Sequence, residues 1–195
     1  MKRVLLTVLA MIVFSACSSD IEPTIIPEPV VEEVVFDQVK DDGKVYTSKD
    51  FFDAGFKEYK EYNVSKLTGA TEAWYGYWGP DEDRVKYYEL RFYPDYSTAV
   101  SDGTPFAEDA TGEDAKLDRK ETMWRVGLTD RKINASCEYS HGNRQSTGGS
   151  GKCGKRFYKY GSYLIYSNIV LLCEGDVEES LKSCREIVGL ISPSN

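Results

Sequence analysis

Two segments of this chain concentrate apolar and aromatic residues, Thr71–Trp78 and a run from Arg84 or Val85 to Tyr93, and in the second they alternate with charged ones over Tyr88–Phe92. The turn residues Gly79-Pro80-Asp81 lie between them, and together they predict a β-hairpin. Strand-like segments return at Phe157–Tyr166 and at Ile169–Cys173, the second an unbroken apolar run that reads as a buried strand, with Ser167-Asn168 as a tight turn. After each hairpin the period lengthens to that of a helix. Asp95–Thr111 sets Tyr96, Ala99, Val100, Gly103, Phe106, Ala107 and Ala110 at helical spacing, and Gly103 and Pro105 predict a kink or a split. Ala99, Gly103 and Ala107, four residues apart, predict close approach to a sheet. Asp176 is the N-cap of a second amphipathic stretch, with Glu179 three residues on in a capping-box-like position. Val177, Leu181, Cys184, Val188 and Ile191 share one face of it. A shorter helix, capped at Thr47-Ser48, carries Phe51, Phe52 and Phe56.

The order is therefore strand–strand–helix twice. The units are joined by a charged segment (Glu113–Glu121), the Met123–Leu128 stretch and a Cys137–Cys153 loop. This predicts an α+β fold: a single domain over residues 39–192, with one antiparallel sheet of about four to six strands and helices mainly on one face.

The first residues follow another logic. Lys2 and Arg3 precede an apolar run, Val4–Phe14, interrupted by Thr7 and closed by small residues before Cys17. The run is too short to cross a bilayer, which takes about 20 apolar residues, and the polar Ser18-Ser19-Asp20 follows at once. Phe14-Ser15-Ala16-Cys17 resembles the lipobox of bacterial lipoproteins. The resemblance covers this leader only. It implies cleavage of residues 1–16 and acylation of Cys17, and hence a protein anchored by lipid to the cell membrane or outer membrane, facing the periplasm or exterior. Ser18 favours the outer membrane under the same resemblance. Several acyl chains make such attachment effectively permanent, each buried CH₂ contributing about 0.8 kcal/mol.

Residues 17–38 read as the lipidated cysteine and an extended tether. Pro23, Pro27 and Pro29 alternate with Glu, Val and Ile, and no glycine interrupts them. At about 3.1 Å per residue the tether reaches on the order of 50–60 Å. The Val34-Val35-Phe36 cluster is an alternative edge strand.

With Cys17 assigned to lipid, Cys137, Cys153, Cys173 and Cys184 remain as disulfide candidates, an even number in an exported chain. Linking Cys137 to Cys153 closes a Gly/Ser-rich loop and restricts the unfolded chain by roughly 3 kcal/mol. Cys173 and Cys184 then remain for each other. A strand end and a residue two turns into the next helix lie beyond the usual Cα separation if the helix packs straight back, so crossed pairings stay open. No C-x-x-C pair occurs and His141 is the single histidine, which argues against a metal site.

Acidic residues outnumber basic ones, 32 to 24, for a formal net charge of −8. Loss of Lys2 and Arg3 deepens the imbalance. That balance gives no electrostatic basis for a nucleic-acid partner, whose phosphates demand clustered Lys and Arg, and no cofactor motif is present. Gly148-Gly149-Ser150-Gly151-Lys152 lacks the spacing of a phosphate-binding loop. His141 sits in a loop without a nucleophile elbow. The reading is a non-catalytic module that binds a ligand or partner. The alternatives are a small hydrolase of envelope polymers working through paired carboxylates and a purely structural envelope protein.

Aromatic residues concentrate in Trp74-Tyr75-Gly76-Tyr77-Trp78 and Tyr87-Tyr88-Glu89-Leu90-Arg91-Phe92-Tyr93. Tyr88, Leu90 and Phe92 form the core face of the second strand, and Tyr87, Glu89, Arg91 and Tyr93 share the other. With helices on one face only, this second set is exposed and, with Trp74 and Trp78, makes a candidate binding face for a glycan or an envelope protein.

Cys17→Ser is expected to abolish incorporation of a clickable fatty acid and to release the protein from the envelope. Persistent labelling of the variant would refute the anchor.

Overall fold

A computed structural model describes residues 37–128, 131–133 and 155–192. Cys17, the leader, the tether up to residue 36, Cys137, Cys153, His141 and the Gly148–Lys152 segment lie outside the described residues. The strands are β1 (Val39–Lys40), β2 (Lys57–Glu61), β3 (Glu72–Trp78), β4 (Lys86–Phe92), β5 (Arg131–Ile133), β6 (Lys155–Phe157), β7 (Tyr160–Tyr166) and β8 (Ile169–Glu174). The helices are α1 (Ser48–Asp53), α2 (Tyr96–Thr98), α3 (Thr104–Glu108) and α4 (Val177–Ile191), with a π-helical turn over Ala99–Gly103 between α2 and α3.

Six strands form one open sheet in the order β1-β7-β8-β4-β3-β2, and β5 pairs with β6 separately. The class is α+β, as the pattern predicts. The two hairpins, β3–β4 and β7–β8, meet through antiparallel pairing of β4 with β8, with Leu90 opposite Leu171 at the centre. The sheet is mixed rather than wholly antiparallel, because β1 adds to β7 in parallel, Val39 opposite Ile165.

The helices divide between the two faces. On one face, α1 and α4 cover Tyr88, Leu90, Phe92, Leu164, Ile169 and Leu171 with Phe51, Cys184, Ile187 and Val188. Asp176 caps α4, its side chain accepting from the Glu179 backbone N–H at 2.9 Å. Val177, expected on the buried face of α4, is half exposed. On the other face, the α2–α3 segment packs Ala99 and Ala107 against Ile165, Val170 and Leu172. Here Gly103 meets the sheet: a Cβ would lie 2.7 Å from Val170 Cγ2, so the small-residue spacing does serve close approach. The split expected around Gly103 and Pro105 takes the form of the π turn. Two like hairpins related by a twofold axis through the β4–β8 seam would send both helices to one face. These send them to opposite faces, so the units repeat in order but not in hand.

Asn168 ties the β7–β8 turn to distant chain. Its amide accepts from the Tyr46 N–H at 2.7 Å and donates to the carbonyls of Tyr46 and Tyr93, each at 2.9 Å. Nearby, burial works to raise the Asp42 carboxyl, but hydrogen bonds from Ser167, Tyr46, the Lys44 backbone and Tyr166 override it. They hold Asp42 well below the usual carboxylate range.

Cys173 and Cys184 form a disulfide with Cα atoms 5.7 Å apart. The anticipated separation does not arise, because α4 lies across β7 as well as β8, ending where Ser192 meets Tyr166 (2.9 Å between hydroxyls). Two helical turns are therefore not two turns of travel along β8. Non-reducing peptide mapping should recover Cys173 linked to Cys184, and a crossed link to Cys137 or Cys153 would overturn this arrangement. The short loop it closes predicts that Cys173→Ala/Cys184→Ala costs roughly 3 kcal/mol, measurable by urea denaturation.

Candidate functional site

The face of β4 that alternation leaves open is largely sealed. Glu89 and Arg91 are 0% and 1% exposed, and Tyr93 is 1% exposed. These three residues therefore do not form a binding surface. The α2–α3 segment covers Tyr93, and Trp124, from the Met123–Leu128 stretch, lies over Arg91. Trp74 and Trp78 are also displaced from the expected site. Trp74 stands opposite Leu90 and Trp78 opposite Lys86, so both project to the α1–α4 face and pack against its core. Of the six residues, Tyr87 alone keeps an exposed place on the intended face.

Glu89 and Arg91, two residues apart on one strand, form a buried ion pair. Arg91 Nε and Nη2 each lie 2.8 Å from Glu89 Oε1. The Arg91 guanidinium carbon stands 4.8 Å from the Trp124 ring centroid, a cation–π contact shielded from water. Burial pushes the Glu89 carboxyl up, with the Arg91 charge pulling against it. A raised carboxyl in a cleft would be a candidate general acid, but this one is out of reach of any substrate. Burial likewise raises the Tyr93 hydroxyl to about 12.

Trp124 is itself held. Its Nε1 donates to the Asn63 carbonyl at 3.3 Å, and the Tyr62 ring meets it edge-on at 5.7 Å. Gly127 lies so close under the indole that a Cβ would come within 1.8 Å of it. The Met123 N–H donates to Asp109 Oδ2 at 3.2 Å, and Asp109 also pairs with Lys116 at 2.6 Å.

Toward the β2 edge the cover ends, and a tyrosine surface begins. Tyr75 of β3 stacks on Tyr87 of β4 (5.6 Å, 17° between planes), and Tyr77 meets Tyr87 at 6.0 Å. Tyr59 of β2 stands edge-on to Tyr75 at 5.8 Å and is 74% exposed. A register shift between Glu58 and Lys60 makes Tyr59 the extra residue of a β-bulge, a device that re-aims a side chain at a sheet edge. Lys159 crowns the cluster. Its Nζ lies 3.9 Å from the Tyr75 ring centroid and 5.0 Å from that of Tyr87, and it donates to the Tyr75 hydroxyl. Sequence reasoning passed over Tyr59, because Lys57–Glu61 shows no apolar alternation. It also passed over Tyr75 and Tyr77, though their place opposite Glu89 and Tyr87 was available from the hairpin register.

Carboxylates also gather beside a cavity of about 390 Å³ between the β3–β4 turn and α4, where Asp83, Glu179 and Glu186 line it. Glu179 is held there by Lys86, Nζ to Oε1 2.6 Å. Among the described residues, no helix is long and apolar enough to cross a membrane.

These features define an open-sheet α+β domain that is stapled by a disulfide and presents tyrosines at one sheet edge. The chain belongs to the Family of unknown function (DUF6810), which matches it over residues 47–193. No curated protein and no solved structure matches the chain.

Glu89→Leu, which strands Arg91 without its carboxylate, should cost about 3–5 kcal/mol of stability in urea unfolding. Glu89→Leu/Arg91→Met, which removes both charges, should recover most of that loss. A mild single variant would show the pair to be dispensable.

Proposed function

We propose that this protein is a lipid-anchored, extracytoplasmic binding module without catalytic chemistry, and that its ligand is a carbohydrate held on the Tyr59–Tyr75–Tyr77–Tyr87 surface. The observation that carries this reading is the contrast within a single sheet face. Most of it is closed by α2–α3 and Trp124, while four tyrosines and Lys159 remain together at the edge. Flat phenol rings offer an apolar surface to the C–H face of a sugar, and their hydroxyls and the lysine serve its oxygens. Tyrosine also loses little conformational entropy on binding, and mutual stacking has already fixed these rings.

Anchoring and export are supported by the lipobox-like leader ending at Cys17. A disulfide between Cys173 and Cys184 fits an oxidising compartment. An extended tether would place the domain among envelope polymers rather than on the lipid. The sealed position of Glu89 and the pairing of Glu179 with Lys86 leave the hydrolase reading without a favouring observation.

The test is calorimetric titration of the full-length chain with neutral and acidic oligosaccharides of equal length. At about 1 kcal/mol per ring, Tyr59→Ala/Tyr87→Ala should weaken sugar binding at least tenfold, with an unchanged circular dichroism spectrum. Equal affinity of variant and wild type would sink the tyrosine surface as the site.

A further inference from the structure

The chain as a whole is acidic, at −8, but the tyrosine face is bordered by cations. The register of β2 determines this. Lys57 stands opposite Tyr77 and Lys60 opposite Tyr75, and directly opposed residues project to the same face. Both lysines therefore flank the tyrosines. Glu58, opposite Gly76, and Glu61, opposite Trp74, fall on the other side. In a regular strand Lys57 would share its face with Glu61, and Lys60 would share the other with Glu58. The bulge at Tyr59 sorts the charges of this strand, sending the positive ones to the tyrosine side.

Next to Lys60 the surface sinks into an open cavity of about 580 Å³, whose lining includes Lys60, Tyr62, Arg119, Lys120 and Arg125. No carboxylate lines it among the described residues. Tyr62 forms its inner wall, 5% exposed, with Lys60 Nζ 5.3 Å from the ring centroid. The Tyr62 ring also stacks on Tyr75 (6.4 Å, 30°), so the wall of the cavity adjoins the tyrosine cluster. Elsewhere Lys44, Lys49, Arg84, Lys86, Arg91 and Lys116 each have an acidic partner. Among the described residues, none of Lys60, Arg119, Lys120 and Arg125 is in a salt bridge.

From this arrangement we infer that the cavity receives the acidic group of the glycan, and that the ligand is a carboxylate-bearing polysaccharide, with uronate carboxylates on Arg119 and Arg125 and neighbouring sugar rings on the tyrosines. The inference rests on the tyrosine surface being a carbohydrate site and specifies what that site selects. Planar guanidinium groups match a carboxylate with two parallel hydrogen bonds. Val126, 43% exposed, and Leu128 complete the lining, but the site is a concavity walled by the Tyr62 ring with four cations around it, and this favours a sugar over a lipid surface.

The experiment titrates the full-length chain with a galacturonic acid oligosaccharide, a neutral oligosaccharide of equal length, and vesicles containing anionic lipid. The uronate should bind at least tenfold more tightly than the neutral sugar, and the preference should shrink as salt is added. Arg119→Gln/Arg125→Gln replaces two exposed side chains and should abolish the preference while leaving neutral-sugar binding in place. A wild type that binds both sugars equally would overturn the acidic specificity, and a preference that survives the arginine variant would overturn its assignment to this cavity. Neutral-sugar binding that is still lost in Tyr59→Ala/Tyr87→Ala would then leave the tyrosine site standing. Absence of any sugar binding overturns both, as does vesicle binding, lost in the arginine variant, without sugar binding.

Discussion

Arg91 lies in the middle of the sheet, and the stretch of chain that carries Trp124 crosses the second face over it. A guanidinium withdrawn from water costs several kcal/mol unless a carboxylate and a polarisable surface replace the solvent. Glu89 supplies the first and the Trp124 ring the second. Trp124 can do so only if its stretch of chain crosses the sheet, and that crossing is held by Asn63, Tyr62 and Asp109. Arg119, Lys120 and Arg125 belong to the same crossing. Their gathering around Tyr62 follows from the cover that the buried arginine requires. The concealed cation thus positions the exposed ones.

The elements that period and capping could specify were legible. Apolar and aromatic runs bounded by turn residues located β3, β4, β7 and β8, and Thr47 and Asp176 located the starts of α1 and α4. Alternation shows which residues share a face, but it does not say whether that face is covered. Trp124 lies in a segment with neither helical nor strand period, so nothing in the local pattern announced a lid over β4. A clue was nonetheless present. Glu89 and Arg91 flank Leu90 between Tyr87-Tyr88 and Phe92-Tyr93, and opposite charges two residues apart in so aromatic a strand are the signature of a pair made for burial.

The edge strand was illegible for a related reason. Lys57–Glu61 has no apolar residue except Tyr59, so its strand character comes wholly from backbone pairing with β3. Such a sequence suits an edge, where charged side chains and a bulge discourage pairing with another sheet. The same bulge displays Tyr59 and aligns Lys57 with Lys60. One irregularity thus protects the edge and furnishes the candidate site, and this coupling explains why a strand with so little burial has so specific a register. At the opposite edge β1 contributes only two residues, and in parallel, leaving little ladder to extend.

A patch of cations on an acidic protein raises the question of which field an approaching anion feels. Beyond the Debye length, about 8 Å at physiological ionic strength, the net charge of the domain is largely screened, and repulsion from distant carboxylates falls away with it. Within that distance the ligand meets Arg119, Lys120, Arg125 and Lys60 around one concavity, with no carboxylate among its described lining residues. The acidity of the rest of the surface therefore costs such a ligand little once it is close. It does act against an anion that finds no such concavity, because a glycan drifting over the remaining surface meets mostly like charge. Net acidity and a local basic cavity are in this sense complementary: the first discourages unspecific adhesion, and the second confines attraction to the ring-lined site.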